Sequence, residues 1–406
     1  MTVILILIAL ITRLILMVFT YHQDLSGQFL STHFFAFNGV NNIYEHLASL
    51  SSSHPLVRNF GVADIFIYPP LSYFTLGTYL KIISPIIPEK FYLDHMNGLN
   101  LYSLGAPLHL FWLKLPYLLI DLLLAHALTK FFKDASAKRL VFLLWLFNPV
   151  TLYTTFAMGV FDIIPVLFTV YAVLFAKNNR PSLAALMIGI GASFKSYPLF
   201  LLPLLVVTIP GTINKIKSTI VGFAPFVLTI LPFLSSPAFK YMVFGPKSQK
   251  MFYLIWNVSG AEGLFPYLVF YSILLIVTSR QITVKNIWKS FLVYFLLLFS
   301  VTHYHPQWFL WLSPFLVIEL GYNKLKNRYL ALGLILCYLG IVLTFDRSLS
   351  TNLLAVTFPQ IEQFPGIDKV LSQKIDLNMF RSSIRSVFAG LSIFLSYDLL
   401  KKKSEA

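Results

Sequence analysis

The chain has 406 residues, of which 57% are hydrophobic and 12% charged, and its formal net charge is +15. A soluble domain carries about twice that share of charged residues, so the composition excludes an ordinary soluble protein and indicates a polytopic helical membrane protein. The apolar runs use most of the length, which leaves no room for a separate nucleotide-binding domain, and no Walker-type phosphate loop occurs. Basic residues in such a protein serve topology and anionic headgroups first, so we expect membrane lipid and not nucleic acid as a partner.

Apolar runs of near-membrane length recur along the chain and predict one transmembrane domain, residues 1–406. The first run lacks a basic n-region and a cleavage signal, so we interpret it as a retained anchor. The fold class predicted is an all-α polytopic membrane protein with a long first outer-face loop that contains interfacial helices. Its twelve predicted membrane segments are 1–20, 107–129, 139–156, 160–177, 182–194, 197–210, 218–234, 263–279, 290–302, 307–322, 329–345 and 383–399. The two short segments after residue 180 have an alternative, a hairpin that enters the membrane only partway and is buried by its neighbours.

The distribution of lysine and arginine predicts the orientation. Of the 31 basic residues, 17 lie in a few short loops, which the positive-inside rule places in the cytoplasm together with both termini. The long stretches 21–106, 235–262 and 346–382 then lie on the outer face of a cell membrane, or of the endoplasmic reticulum in a eukaryote. Residues 68–86 are apolar enough for another span, but that would move a basic cluster to the wrong side. We interpret them as a helix along the outer surface.

The first outer loop begins with an aspartate, Asp24, directly after the first apolar run. A carboxylate at the membrane–water boundary can accept a proton from a substrate hydroxyl. The simpler alternative is an aspartate at a helix end or turn in water. The loop ends in the turn Tyr68-Pro69-Pro70.

Three ionisable residues fall inside predicted spans. Lys114 and Asp121 are seven residues apart on one helix face, and Arg13 lies on the first segment. Charges at that depth are costly and should face a bundle interior or a wet cavity. For Arg13 and Asp121 we favour an ion pair between two helices over catalysis. The flexible amine of Lys114 can instead reach upward to an anion.

Two predicted outer turns carry polar residues, Gly159-Val160-Phe161-Asp162 and Phe194-Lys195-Ser196-Tyr197-Pro198. A lysine and a tyrosine at the apex of a short hairpin can bind a phosphate. They can equally be an ordinary loop lysine and an interfacial tyrosine.

The last polar cluster runs from Thr302 to Trp308 and contains His303 and His305. Two histidines this close suggest a metal, but no dense set of carboxylates or cysteines completes a site. Histidines that donate to a phosphate are the more natural interpretation, with interfacial packing as the alternative for Tyr304 and Trp308. We therefore expect no cofactor, and nothing in the sequence supports a divalent metal.

Taken together, these positions resemble the GT-C superfamily of integral-membrane glycosyltransferases. The likeness is closest to the branches that use polyprenyl-phosphate mannose and are related to the GPI-anchor mannosyltransferases. The motifs that carry it are the aspartate after the first span, the long first outer loop, the Tyr-Pro-Pro turn, Phe-Asn-Pro at 147–149, the turn at 159–162, Phe-Lys-x-Tyr-Pro at 194–198 and His-Pro-Gln-Trp-Phe-Leu-Trp at 305–311.

The resemblance implies an inverting hexosyltransferase. Such an enzyme moves a sugar, here expected to be mannose, from a polyprenyl-phosphate carrier to a glycan, lipid or protein acceptor on the extracytoplasmic face. Asp24 matches the family's catalytic aspartate, although the second acidic residue common in that motif is absent, and His22 and Gln23 stand there instead. Our hypothesis assigns the donor phosphate to Lys114, Lys195, His303 and His305, and contacts with the substrate to Tyr68, Asp162, Tyr197 and Gln307, with no metal ligand.

Two other classes of protein remain as alternatives. A lipid-linked-sugar flippase or a membrane transporter would also carry polar residues within its spans. It would be expected to show symmetric halves with broken helices, whereas here the long loops all lie on one side. A purely structural membrane subunit would leave Lys114, Lys195 and His303 unexplained.

Overall fold

The computed structural model describes residues 2–97, 105–245, 251–303 and 305–401. These residues are mostly helical, as the composition predicts. The α-helices are α1 (Thr2–Phe19), α2 (Gln23–Asn38), α3 (Ile43–Ser49), α4 (Pro55–Phe60), α5 (Pro70–Ile82), α6 (Glu89–Met96), α7 (Ala106–Thr129), α8 (Ala135–Leu146), α9 (Pro149–Thr151), α10 (Ile163–Lys177), α11 (Pro181–Phe194), α12 (Leu201–Thr208), α13 (Thr212–Ile230), α14 (Pro237–Phe244), α15 (Pro266–Gln281), α16 (Trp288–Val301), α17 (Ser313–Tyr322), α18 (Arg328–Leu343), α19 (Ile367–Ser372) and α20 (Leu377–Lys401).

Shorter helical turns and one hairpin complete the described chain. A π-helix covers Leu152–Met158. The 3-10 helices are Val62–Asp64, Tyr197–Phe200, Leu231–Phe233, Val284–Asn286, Pro306–Trp311, Arg347–Leu349, Thr351–Leu354 and Pro359–Gln363. Strands β1 (Trp256–Ser259) and β2 (Glu262–Leu264) pair antiparallel, with Trp256 opposite Leu264. This small hairpin is the one departure from the predicted all-helical class in the described residues.

Each predicted membrane segment overlaps a helix of the structure, but only some of these helices have the length that a crossing needs. Within the described residues, four helical segments are long and apolar enough to cross a membrane, namely Ala106–Thr129, Ala135–Met158, Thr212–Phe233 and Leu377–Lys401. A fifth is added if α1 and α2, which meet at an angle of 68°, count as one broken span. These helices indicate an integral membrane protein. Crossing by the shorter apolar helices stays a prediction.

A buried ion pair joins the first helix to the helices behind it. The Arg13 Nε atom lies 2.8 Å from Asp121 Oδ2, and neither side chain is exposed. Asp121 Oδ1 accepts a second bond, of 2.8 Å, from the indole N–H of Trp145. Arg13 also donates to the carbonyl of Leu146, at 2.7 Å. The predicted Arg13–Asp121 pair is therefore confirmed, and its network ties α1 to α7 and α8.

The Lys114 amine holds the C-terminal end of α1 against the π-helix. It donates to the carbonyl oxygens of Thr20 at 2.7 Å, Phe156 at 2.8 Å and Ala157 at 3.3 Å. Gly159 ends the π-helix in the left-handed region, at φ +79°, and a Cβ atom there would lie 2.8 Å from Lys114 Cε. Glycine at this position provides both the turn and the space for the lysine.

Helices α11 and α13 approach each other closely enough for their backbones to touch. Helix α11 packs between α10 and α13. A Cβ atom on Gly189 of α11 would lie 2.1 Å from the carbonyl oxygen of Gly222 on α13. Small residues permit such close approach between membrane helices, where apolar burial gives little preference for protein over lipid. The contact fixes α11, whose end carries Lys195.

The predicted first outer loop is held by buried aromatic rings and by the contact between α2 and α5. A Cβ atom on Gly77 of α5 would lie 2.6 Å from the Phe35 ring of α2. The Tyr44 hydroxyl donates to the Tyr68 carbonyl at 2.6 Å, and the rings of Tyr44 and Tyr73 meet edge to face. These contacts place the Tyr68 turn beside the start of α2.

Replacing Asp121 by asparagine should destabilise the fold strongly, because it leaves the Arg13 guanidinium buried without a counter-charge. We expect the free energy of unfolding to fall by about 3–5 kcal/mol, measured by thermal unfolding of the purified protein in detergent. The double variant Arg13→Met/Asp121→Leu should lose less than either single variant. A double variant that loses the sum of the two would contradict this role.

Candidate functional site

Asp24 lies where the start of α2 meets the 3-10 helix Pro306–Trp311. The Gln307 side-chain nitrogen donates to Asp24 Oδ2 at 3.4 Å, and the His22 Nδ1 atom lies 3.7 Å from Oδ1. The same nitrogen of His22 accepts the backbone N–H of Asp24 at 3.2 Å, which caps α2. The helix N-terminus favours a negative charge at this position. The Asp24 side chain is 31% exposed, so it is open to a substrate.

A second carboxylate, Asp162, is buried and paired with Lys195. The Lys195 amine lies 2.8 Å from Oδ1 and 2.9 Å from Oδ2, and the side chains are only 10% and 1% exposed. Asp162 precedes α10 and Lys195 follows α11, so each charge is at the helix end whose dipole it complements. The ammonium also lies over the rings of Tyr68, at 5.2 Å, and Trp311, at 5.4 Å.

The 3-10 helix Pro306–Trp311 contacts both carboxylates. At one end Gln307 reaches Asp24, and at the other the Trp311 indole donates to Asp162 Oδ1 at 2.7 Å. The Trp311 ring stacks on Tyr197 with centroids 3.9 Å apart. Residues from distant parts of the sequence are therefore joined in one contiguous network.

Tyr68 lies between the two carboxylates. Burial raises the pKa of its hydroxyl well above the usual range, and the negative charges of Asp24 and Asp162 raise it further. The hydroxyl therefore stays protonated and can donate a hydrogen bond. The Gln28 side chain lies at this hydroxyl. The Tyr68 ring packs edge to face on Phe161, with centroids 4.8 Å apart.

The two histidines lie at the open end of a row of rings. His303 and His305 have ring centroids 5.7 Å apart, and His305 lies 5.3 Å from Trp308. Trp308 stacks on Trp311 at 5.0 Å. His303 is exposed and His305 partly so, whereas Trp311 is buried. The row therefore leads from solvent to the Asp162–Lys195 pair. Tyr304 is outside the described residues.

Among the predicted phosphate ligands, Lys114 differs in that its amine donates to backbone carbonyls beneath the site and not to a residue of the site. Its side chain is fully buried and its hydrogen bonds go to backbone carbonyls. The other predicted residues belong to the network described above, namely Asp24, Tyr68, Asp162, Lys195, Tyr197, His303, His305 and Gln307. The structure thus places Lys114 beneath this network and not within it.

The third predicted outer loop packs against the start of α2. The Tyr21 N–H donates to the Leu353 carbonyl at 2.9 Å, and the Tyr153 hydroxyl donates to the Leu349 carbonyl at 2.6 Å. Asp346 lies close enough to His22 and Tyr153 to interact with both electrostatically. Segments that are far apart in the sequence therefore meet beside the start of α2, which carries Asp24.

Three residues of this site were not assigned from the sequence. Trp311 ends the His-Pro-Gln-Trp-Phe-Leu-Trp motif. Its position in that motif, six residues after His305, was the available sequence signal. Gln28 follows Asp24 by four residues, so helical spacing would place both on one face. Asp346 had no signal, because nothing local relates a loop aspartate to a residue over three hundred positions away.

Metal ligation has no candidate cluster here. Within the described residues, no group of three or more histidines, cysteines, aspartates or glutamates is placed to hold a metal ion. The polar atoms at Asp24 come from an imidazole and a carboxamide, which suit hydrogen bonding to a hydroxylated substrate.

A family comparison decides what kind of protein carries this site. The model of glycosyltransferase family 87 matches residues 66–299, more than half of the chain. The chain belongs to glycosyltransferase family 87. The predicted resemblance to a GT-C-type membrane glycosyltransferase is thereby confirmed. Searches of the curated proteins and of the solved structures found no match.

Membership of glycosyltransferase family 87 makes this chain a glycosyltransferase, with a sugar donor and an acceptor. The matched residues include Tyr68, Asp162, Lys195 and Tyr197. Asp24 lies before them and the 3-10 helix Pro306–Trp311 after them. The structure brings both to the matched region.

Trp311→Phe should weaken the buried pair while it keeps the ring stack on Tyr197. The Asp162 carboxylate, a charged acceptor, loses the hydrogen bond that the indole N–H donates, so we expect the free energy of unfolding to fall by about 1.5–3 kcal/mol. Thermal unfolding in detergent measures this loss. In an Asp162→Asn background the same change should cost less, because the acceptor is neutral. Equal losses in the two backgrounds would show that the indole N–H does not act on Asp162.

Proposed function

We propose that this glycosyltransferase transfers a hexose, with mannose the expected sugar, from a polyprenyl-phosphate carrier to an acceptor on the extracytoplasmic face, with inversion. The shared membership of family 87 supports sugar transfer. The apolar bundle favours a donor that is delivered by the membrane, since the described chain has no nucleotide-binding fold.

The observation that carries the proposal is the contrast between the two carboxylates. Asp162 is 1% exposed and already neutralised by Lys195, whereas Asp24 is 31% exposed. A general base has to reach its substrate and keep a free lone pair. Asp24 meets both conditions and Asp162 meets neither, so Asp24 is the proposed base and Asp162 a substrate-positioning residue that acts through Lys195.

The proposed reaction is a single displacement. Asp24 takes the proton of the acceptor hydroxyl as its oxygen forms a bond to the anomeric carbon. The bond from that carbon to the phosphate oxygen breaks, and the phosphate leaves with the electron pair. Attack and departure on opposite faces give inversion. Tyr68, Tyr197 and Gln307 are the proposed contacts with the substrate.

Positive charge near the departing phosphate would lower the barrier. His303 and His305 lie at the open end of the site, and Lys195 is below them, so we propose that these residues hold the phosphate. Lys114 would act through the backbone beneath the site, because its hydrogen bonds go to carbonyl groups.

The proposed topology follows from the basic loops. We propose that all twelve predicted segments cross the membrane, with both termini in the cytoplasm and α5 along the outer surface. The helices Ile163–Lys177, Pro181–Phe194, Tyr197–Thr208, Trp288–Val301 and Arg328–Leu343 are apolar but shorter than a full span. Their burial by neighbouring helices supports such placement.

The direct test incubates purified protein with radiolabelled polyprenyl-phosphate mannose and a crude mixture of lipid and glycan acceptors. Transfer of label to an acceptor is the expected result. Label that only changes leaflet in reconstituted vesicles would identify a flippase. Label that stays on its carrier, with every polyprenyl-phosphate hexose tried, would overturn the proposed donor.

Asp24→Asn should abolish transfer without unfolding the protein, because the amide keeps the shape but cannot take the proton. We expect turnover to fall at least about a hundredfold, with an unchanged melting temperature. Asp94→Asn, a carboxylate on α6 in the same outer loop, is the matched control and should keep full turnover. Near-normal turnover in Asp24→Asn would remove Asp24 from its role.

Lys195→Ala should weaken binding of the donor more than that of the acceptor. Loss of a charged hydrogen bond, about 1.5–3 kcal/mol, raises the donor KM roughly ten- to a hundredfold. Initial-rate kinetics with each substrate varied in turn measure both constants, and Lys240→Ala, which changes an exposed lysine of α14, serves as control. A rise confined to the acceptor KM would assign Lys195 to the acceptor.

A further inference from the structure

His22 caps the helix that carries Asp24 with one of its ring nitrogens. The Nδ1 atom accepts the backbone N–H of Asp24 at 3.2 Å, in the position that the side chain of an N-cap residue takes. A ring nitrogen that accepts a hydrogen bond uses its lone pair and carries no proton of its own. The neutral form of His22 therefore has its proton on Nε2.

The same nitrogen faces the carboxylate of Asp24. Nδ1 lies 3.7 Å from Oδ1, which is beyond hydrogen-bond distance. Gln307 donates to the other oxygen, Oδ2, at 3.4 Å. Within the described residues no hydrogen bond reaches Oδ1, so this is the oxygen that remains to take a proton from a substrate. A neutral His22 leaves it available.

Three charged groups surround His22. Asp24 is on α2, Asp346 begins the third predicted outer loop, and Lys114 is on α7. Tyr153 of the π-helix, which lies near both carboxylates, is a neutral phenol at pH 7. Burial of the His22 side chain, which is 5% exposed, lowers its pKa below the usual value, and Lys114 acts in the same direction. The two carboxylates oppose this effect without cancelling it, so the ring is neutral at pH 7.

A proton on Nδ1 would change both contacts of His22. The nitrogen would become a donor, so it could no longer accept the Asp24 N–H, and it would face a negatively charged acceptor, Oδ1, 3.7 Å away. A hydrogen bond from an imidazolium to a carboxylate is charge-assisted and stronger than a neutral one. A small rotation of the ring would therefore close the gap and occupy the oxygen that the reaction needs.

We propose that His22 is a positioning residue for Asp24, which keeps Oδ1 free in its neutral form and blocks it when protonated. This role rests on the proposed function, in which Asp24 is the base. His22 and the Asp24 carboxyl then both limit transfer in acid, because a proton on either group removes the base. A histidine that only caps the helix would leave that limit to the carboxyl alone.

The pH dependence of transfer by His22→Asn separates these two roles. Asparagine is among the best N-cap residues, and its side-chain oxygen can accept the Asp24 N–H, but it does not titrate. An ordinary imidazole titrates near pH 6.5 and a carboxyl near pH 4, so between about pH 7.5 and about pH 5 the fall in kcat/KM should be at least about threefold smaller in this variant than in the wild type. The same fall in both proteins would overturn the proposal.

His54→Asn is the matched control for this experiment. His54 caps α4 in the same way, since its Nδ1 atom accepts the Leu56 N–H at 3.3 Å, and it belongs to the same predicted outer loop. Its electrostatic neighbour is His46 and not Asp24. This variant should therefore show the wild-type fall in kcat/KM. A fall as small as that of His22→Asn would assign the effect to helix capping in general and contradict the role of His22.

Melting temperatures measure the contact between His22 and Asp24 without turnover. The unfolded chain protonates this histidine near pH 6.5, whereas the folded chain resists, so stability is lost as the pH falls from that value towards the lower folded pKa. His22→Asn should therefore lose less melting temperature than the wild type between the same two pH values. In an Asp24→Asn background the imidazolium has lost a nearby carboxylate, so the loss that His22→Asn prevents should be larger there.

These two measurements fail separately. Equal protection by His22→Asn in the two Asp24 backgrounds would show that the charged ring does not meet Asp24, and would refute the proposed blocking contact. Absence of transfer from every polyprenyl-phosphate hexose at neutral pH would instead remove the proposed function. The melting temperatures would then still decide whether protonated His22 pairs with Asp24.

Discussion

A charge that is buried in an apolar bundle must be neutralised by the protein itself, and this constraint shapes the described structure around Asp24. Arg13 meets it with Asp121, Lys195 with Asp162, and Lys114 with backbone carbonyls. Breaking such an arrangement is costly, because the remaining group keeps its desolvation penalty without compensation. Each arrangement joins two or more helices, so the groups that are expensive to bury also determine how the helices meet.

The same constraint separates the two acidic residues of the site. Asp162 is enclosed by Lys195, Trp311 and the surrounding rings, which leaves its carboxylate little freedom to take a proton. Asp24 has the neutral side chains of a glutamine and a tyrosine and the ring of His22 near it, with no lysine or arginine paired to it in the described residues, and is 31% exposed. The proposed chemistry therefore combines a neutral, buried ion pair with one accessible carboxylate.

The sequence shows which charged residues lie within apolar segments, and this was the information about the site that could be predicted. It predicted the Arg13–Asp121 pair, because two opposite charges in apolar helices have few other partners. It did not predict that Lys195 would pair with Asp162, since two turns on one face need not be adjacent. The bonds of Lys114 to carbonyls had no sequence signal, because every residue carries a carbonyl. The hairpin at 256–264 was not predicted, because its strands are largely exposed and do not show the alternation of apolar and polar residues that marks a half-buried strand.

The hydrogen bonds of Lys114 also set the electrostatic potential beneath the site. The ends of α1 and of the π-helix point carbonyl groups toward the same place, and a helix C-terminus carries about half a negative charge. The three N–H groups of an ammonium match the carbonyls of Thr20, Phe156 and Ala157. One positive charge thus offsets two partial negative ones. The phosphate of the proposed donor would therefore meet little net charge beneath it, whereas two bare helix ends would repel it.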